Sequence, residues 1–178
     1  MGRPPASTRI ATPQRLLAAA EREFARHGLA AARLEDVARR AGIRRPSLLH
    51  HFRTKDALYA AVVRRAFDAL GNALVASMES VAGLAEGFGR FLAGRPTLAP
   101  LILRELLEAR GPGRRILLRE VVPMLDRVEA FVRSAPPRRG VPVRAALMQI
   151  VSDVLLRSAA GSVRAAVWGA GDSPVLFL

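Results

Sequence analysis

The sequence predicts an all-α protein: a three-helix N-terminal head followed by a C-terminal helical bundle. Apolar residues recur at three- and four-residue spacing almost throughout the 178 residues, the period of helices with one buried face. Glycine and proline punctuate these runs, and none of the runs alternates as a strand would. The chain is 51% hydrophobic and 24% charged, enough apolar material for a core and too much for a disordered segment. No period of roughly 20–50 residues repeats, which argues against a solenoid.

The elements follow in order. After a basic tail, Met1–Ala11, Thr12 caps a first helix with Pro13 at its opening position. Leu17, Ala20 and Phe24 share a face until Gly28 stops the helix. A second helix is expected from Leu34 to Ala41, with Leu34, Val37, Ala38 and Ala41 inward, and a third from Arg45 to Phe52. The link between them satisfies a helix-turn-helix. Ala38 is small enough for two helices to cross, Gly42 accepts positive φ, and Val37, Ile43 and Leu48 can pin the pair. In such a unit the N-terminal residues of the second helix lie nearest the bases of a major groove. Here they are Arg44, Arg45, Pro46 and Ser47, two guanidinium groups beside a hydroxyl, suited to guanine edges and phosphates. On spacing alone, a tight helical hairpin with a solvated arginine turn fits equally well.

Charge separates some of the remaining classes. Lysine and arginine total 28 against 15 acids, for a net +13, and Lys55 is the one lysine. Residues 1–58 hold 12 basic and 5 acidic groups, against 16 and 10 over residues 59–178, so the positive excess is denser at the N-terminus. That favours a nucleic acid there over an anionic membrane or a merely arginine-rich composition inherited from the genome. The longest uncharged stretch, between Asp68 and Glu79, is ten residues, too short to span a bilayer. No apolar run follows Met1–Pro5, so no secretory signal is expected, and the absence of cysteine rules out disulfides and thiolate chemistry. A cytoplasmic location is the simplest expectation.

Catalytic constellations do not assemble. His50 and His51 are adjacent and point about 100° apart on a helix, so they cannot share a metal as an i, i+4 pair would. Ser47 and His50 lack a carboxylate to orient the imidazole. Gly111-Pro112-Gly113-Arg114-Arg115 lacks the lysine and the strand of a phosphate loop, and Gly87-Phe88-Gly89 fails the dinucleotide spacing. No enzyme activity, cofactor or metal site is expected.

Residues 15–59 carry a more specific pattern: Leu16-Leu17-Ala18-Ala19-Ala20 with Phe24 and Gly28, then Val37-Ala38 and Ala41-Gly42-Ile43. Pro46-Ser47-Leu48-Leu49-His50-His51-Phe52, Lys55 and Leu58 follow in order and without a gap. This segment resembles the N-terminal DNA-binding domain of the TetR family of bacterial transcriptional repressors. The resemblance implies a DNA-binding domain over residues 1–54 and a helical effector-binding and dimerisation domain over 55–178. It also implies DNA contacts from Arg33, Arg44, Arg45, Pro46, Ser47, His50, His51 and Lys55, with Lys55 anchoring a phosphate beside the helix start at Thr54. The sequence departs from the family at Ala32-Arg33 and Arg44, where a capping Ser or Thr is usual, and at Leu49, where tyrosine is often found.

Beyond Lys55 the periodicity predicts one long helix through Leu74, then helices over Val81–Ala93, Thr97–Ala109 and Arg114–Ser134, the last kinked by Pro123. A final helix is expected over Val143–Trp168. By resemblance these helices enclose a small effector, for which Met78, Phe88, Phe91, Leu101, Met124, Phe131 and Trp168 are the candidate lining, and one Trp, one Tyr and few buried acids suggest that it is largely apolar. A wide apolar stripe with Leu147, Val151, Val154, Leu155, Ser158 and Ser162 is the candidate homodimer interface. The family usually adds another long helix after this point, where the chain stops at Leu178. The function expected is a repressor of palindromic operator DNA released by its effector. The alternative is a helical ligand-sensing or partner-binding protein with a degenerate DNA-binding head.

Overall fold

The structure, a computed structural model, describes residues 12–77, 79–108, 112–134 and 142–169. All regular structure among them is helical. The chain divides into two compact units, one ending at Val62 and one beginning at Val63.

In the first unit, α1 spans Thr12–Ala31 and is interrupted at Gly28, whose φ of 72° departs from helical values. Leu16, Ala20 and Phe24 lie on its buried face. Helix α2 spans Leu34–Ala41 and packs on α1 and α3 (Arg45–His51). Gly42 ends α2 in the left-handed region, at φ 72° and ψ 32°. The Gly42 N–H donates to the Arg39 carbonyl and the Ile43 N–H to Ala38, the paired bonds of a Schellman ending. A Cβ at Gly42 would meet nothing within 4 Å, so glycine is required there by backbone conformation and not by crowding. Ala38 is buried at the crossing, and Leu48 is the buried residue of α3. Phe52 lies just outside α3, so the helix is one residue shorter than expected.

Helix α4 spans Lys55–Val75, and the division between the units falls inside it. Its start is capped: the Thr54 hydroxyl oxygen accepts the Ala57 N–H at 3.0 Å. Leu58 and Tyr59 complete the first core, and Tyr59 meets Phe24 edge to face with ring centroids 4.9 Å apart.

The second unit holds α5 (Val81–Ala93), α6 (Leu98–Leu107), α7 (Pro112–Ile116), α8 (Val122–Ser134), α9 (Val143–Ala159) and α10 (Arg164–Trp168). Helix α9 packs against α5, α6 and α8, which makes it the central helix of the unit. Two expected helices are divided. The segment expected as Arg114–Ser134 begins at Pro112 and passes through a π-helical turn, Leu117–Val121, before α8. Pro123 has no N–H to give the Arg119 carbonyl, and the wide turn accommodates that missing bond. The helix expected over Val143–Trp168 ends at Ala159. Gly161, at φ 53°, leads into a 3₁₀ turn, Gly161–Val163, and then α10. Helix α6 begins at Leu98 and ends at Leu107, two residues before Ala109. The expected loop around Pro136–Gly140 and the apolar Val175–Leu178 lie outside the described residues.

Candidate functional site

Helix α3 is seven residues long and buries Leu48. Arg44, Arg45, Pro46, Ser47, His50 and His51 are all exposed, so this short helix and its N-cap present six of the eight residues expected to contact DNA. Arg44 is the N-cap with an extended backbone and makes no side-chain cap bond, while Pro46 sits in the first turn and restricts φ there. Arg33 is likewise an exposed N-cap of α2 without a side-chain cap bond, as the missing Ser or Thr implies. Glu35 and Asp36 in the first turn of α2 partly offset this by facing the positive end of the helix dipole. His50 and His51 stand with ring centroids 5.9 Å apart. Among the described residues, no group of three or more His, Cys, Asp or Glu side chains could hold a metal.

Two contacts were not legible in the sequence. The Arg45 Nε lies 3.1 Å from the Glu35 carboxylate, so the first residue of α3 is tied to the first turn of α2. Lys55 is half-buried, and its ammonium donates to the carbonyls of Ala30 at 2.9 Å and Ala32 at 3.3 Å. It thereby ties the start of α4 to the corner between α1 and α2, a role the surface-anchor expectation did not include. Both contacts join residues distant in sequence, and no local spacing announces them.

In the second unit a cavity of about 240 Å³ is lined only by apolar side chains. Phe67, Leu70 and Leu74 of α4 form part of its wall, as do Leu84, Ala85 and Phe88 of α5. Ile102 and Leu106 of α6, Leu117 and Val121 of the π turn, and residues of α8 and α9 complete it. Of the expected lining, Phe88 and Met124 stand in this wall. Four do not. Leu101 is buried away from it, and Phe131 packs on the cluster of Leu84, Val128 and Leu147. Phe91 lies under the Arg95 guanidinium at 4.7 Å, and Trp168 faces Arg157 at 5.7 Å. Met78 lies outside the described residues.

The expected dimer stripe is also redistributed. Leu147, Val154 and Leu155 are buried within the unit, and Leu147, Val151 and Leu155 line the cavity. A central helix with three packed neighbours needs apolar residues around most of its circumference, so the width of the stripe reflects internal packing. Ser158 is half-buried, and Ser162 is exposed in the 3₁₀ turn. Leu156, Val163 and Val167 are the large apolar side chains left exposed along this segment.

A short exposed helix that opens on Arg44 and Arg45, set after a left-handed glycine turn, defines a helix-turn-helix DNA-binding protein. Residues 16–62 match the family model described as bacterial regulatory proteins of the tetR family. The candidate transcriptional regulator SCO4942 from Streptomyces coelicolor is 30% identical, with 93% of this chain and 90% of that one covered and a TM-score of 0.73. The chain belongs to the TetR family of bacterial transcriptional regulators. The TetR family regulator PfmR from Thermus thermophilus shares the fold at a TM-score of 0.71 and 19% identity, covering 84% of this chain and 86% of that one. The HTH-type transcriptional regulator RutR of Escherichia coli (strain K12) is 40% identical over 70 residues. That match takes in 39% of this chain and spans 33% of RutR.

Proposed function

We propose that the protein is a repressor that binds palindromic operator DNA as a homodimer and is released by a small apolar effector. The observation that carries this reading is the exposed row of Arg44, Arg45, Ser47, His50 and His51 above the buried Leu48. Two α3 helices, one from each protomer, would enter successive major grooves, since one head of this size makes too few contacts for a specific site. The exposed Leu156, Val163 and Val167 supply apolar surface for pairing. The wholly apolar lining of the cavity supports an effector without charge on its buried part, because an unpaired charge there would lose its hydration.

The test contrasts base reading with anchoring. Selection from a random duplex library provides the binding site, and fluorescence anisotropy then compares variants. Arg45→Ala is expected to cost about 1–3 kcal/mol on the selected site and to relax preference at one position. Lys55→Ala should weaken all sequences alike. Equal loss of preference in both variants would reject α3 as the reading helix.

A further inference from the structure

The first turn of α2 carries two acids, Glu35 and Asp36, in the same small unit as Arg44 and Arg45 at the start of α3. Acids near a duplex oppose binding to a polyanion unless they serve another purpose. Asp36 pairs with Arg39 three residues along its own helix, an ordinary helix-surface pair. Glu35 instead crosses to α3, where its Oε1 lies 3.1 Å from the Nε of Arg45.

The nitrogen involved matters. A guanidinium offers donors along its Nε edge and, separately, a terminal fork of two nitrogens. With Nε the nitrogen that lies beside Glu35, the terminal fork remains for a pair of acceptors such as guanine O6 and N7. The neighbouring Arg44 forms no ion pair among the described residues and stands at the cap with an extended backbone. Two adjacent arginines therefore differ in freedom: one is braced and one is loose. Guanidinium and carboxylate are 54% and 57% exposed, so the pair contributes little to stability and leaves Arg45 accessible.

We propose that Glu35 is a specificity-determining positioning residue, holding Arg45 by Nε so that its terminal fork faces one base edge while Arg44 follows the phosphates. The inference rests on α3 being the reading helix.

The experiment uses the full chain. Wild type, Arg45→Ala, Glu35→Gln and Glu35→Ala are each put through selection on a random duplex library. Anisotropy then measures each against the selected duplex, its single-position variants and a random-sequence duplex. Arg45→Ala identifies the position that Arg45 reads. Glu35→Ala is expected to lose about tenfold in discrimination at that same position and at no other. Its affinity for random duplex should rise about twofold to threefold, because a negative charge has left the surface facing the phosphates. Glu35→Gln, whose amide oxygen can accept from Nε at the same place, should keep most of the discrimination. A rise in affinity for every sequence with an unchanged ratio would make Glu35 a repulsive charge only and overturn the inference. If Arg45→Ala erases a preference that Glu35→Ala retains, the inference also fails while the reading helix stands. A wild type that selects no site would overturn the reading helix and the inference together.

Discussion

Glu105 shows how burial can change the chemistry of a single residue. It is 6% exposed, and burial, followed by the neighbouring charge of Glu108, raises its pKa from 4.5 to about 7. Its carboxylate fills the place where a Cβ on Gly113 would stand, so α6 and α7 approach closely only because residue 113 is glycine. A raised carboxyl pKa means the folded state keeps a proton that the unfolded state gives up. The stabilisation is therefore full below about 4.5, falls as pH rises from 4.5 to about 7, and is flat above that. Urea unfolding of wild type and Glu105→Gln at pH 4.5 and pH 8 checks this. Between those pH values wild type should lose on the order of 3 kcal/mol relative to the variant. A difference between the two proteins that does not change with pH would contradict the buried carboxyl. In sequence nothing separates Glu105 from Glu108, and only the packing of α7 distinguishes one acid from the other. Gly42 was legible because its position between two apolar-periodic helices demands a left-handed residue, while the partners of Arg45 and Lys55 were not, since they come from other helices.

At the scale of elements, most helices were legible because a buried face imposes a period near 3.6 on the residues. The departures fall where a backbone detail overrides that period. Gly161 takes a positive φ that the apolar pattern around it does not betray, and it divides the last expected helix. Pro123 predicts a kink, and the distortion is a π turn immediately before α8. The cavity is less legible than the helices. Core and cavity lining use the same apolar side chains, so Leu101 and Met124 look alike in sequence, yet only Met124 reaches the wall. Ala85 is a small residue in that wall, and enlarging it fills space without adding charge. Ala85→Leu is expected to weaken binding of naphthalene, followed by its fluorescence, at least about tenfold, because the added carbons occupy the same volume. The urea midpoint should change little, since the new side chain enters empty space. Undiminished naphthalene binding by the variant would mean that the ligand sits elsewhere.

For the whole molecule, the composition limited the function before any helix was placed. A net charge of +13 concentrated toward the N-terminus suits a polyanion, and the central claim is that this attraction is focused on α3. The general attraction can be separated from the focused one, because the second unit carries its own exposed arginine pair, Arg114 and Arg115, on α7. Arg44→Ala with Arg45→Ala removes two charges from the first unit, and Arg114→Ala with Arg115→Ala removes the same two from the second. The deciding measurement is the ratio of affinities for the selected duplex and a random duplex, taken by anisotropy for wild type and both double variants at one salt concentration. The Arg44/Arg45 variant is expected to lose at least about a hundredfold in that ratio, while the Arg114/Arg115 variant keeps it. Equal ratios in the two variants would contradict the assignment of α3 as the helix that reads DNA.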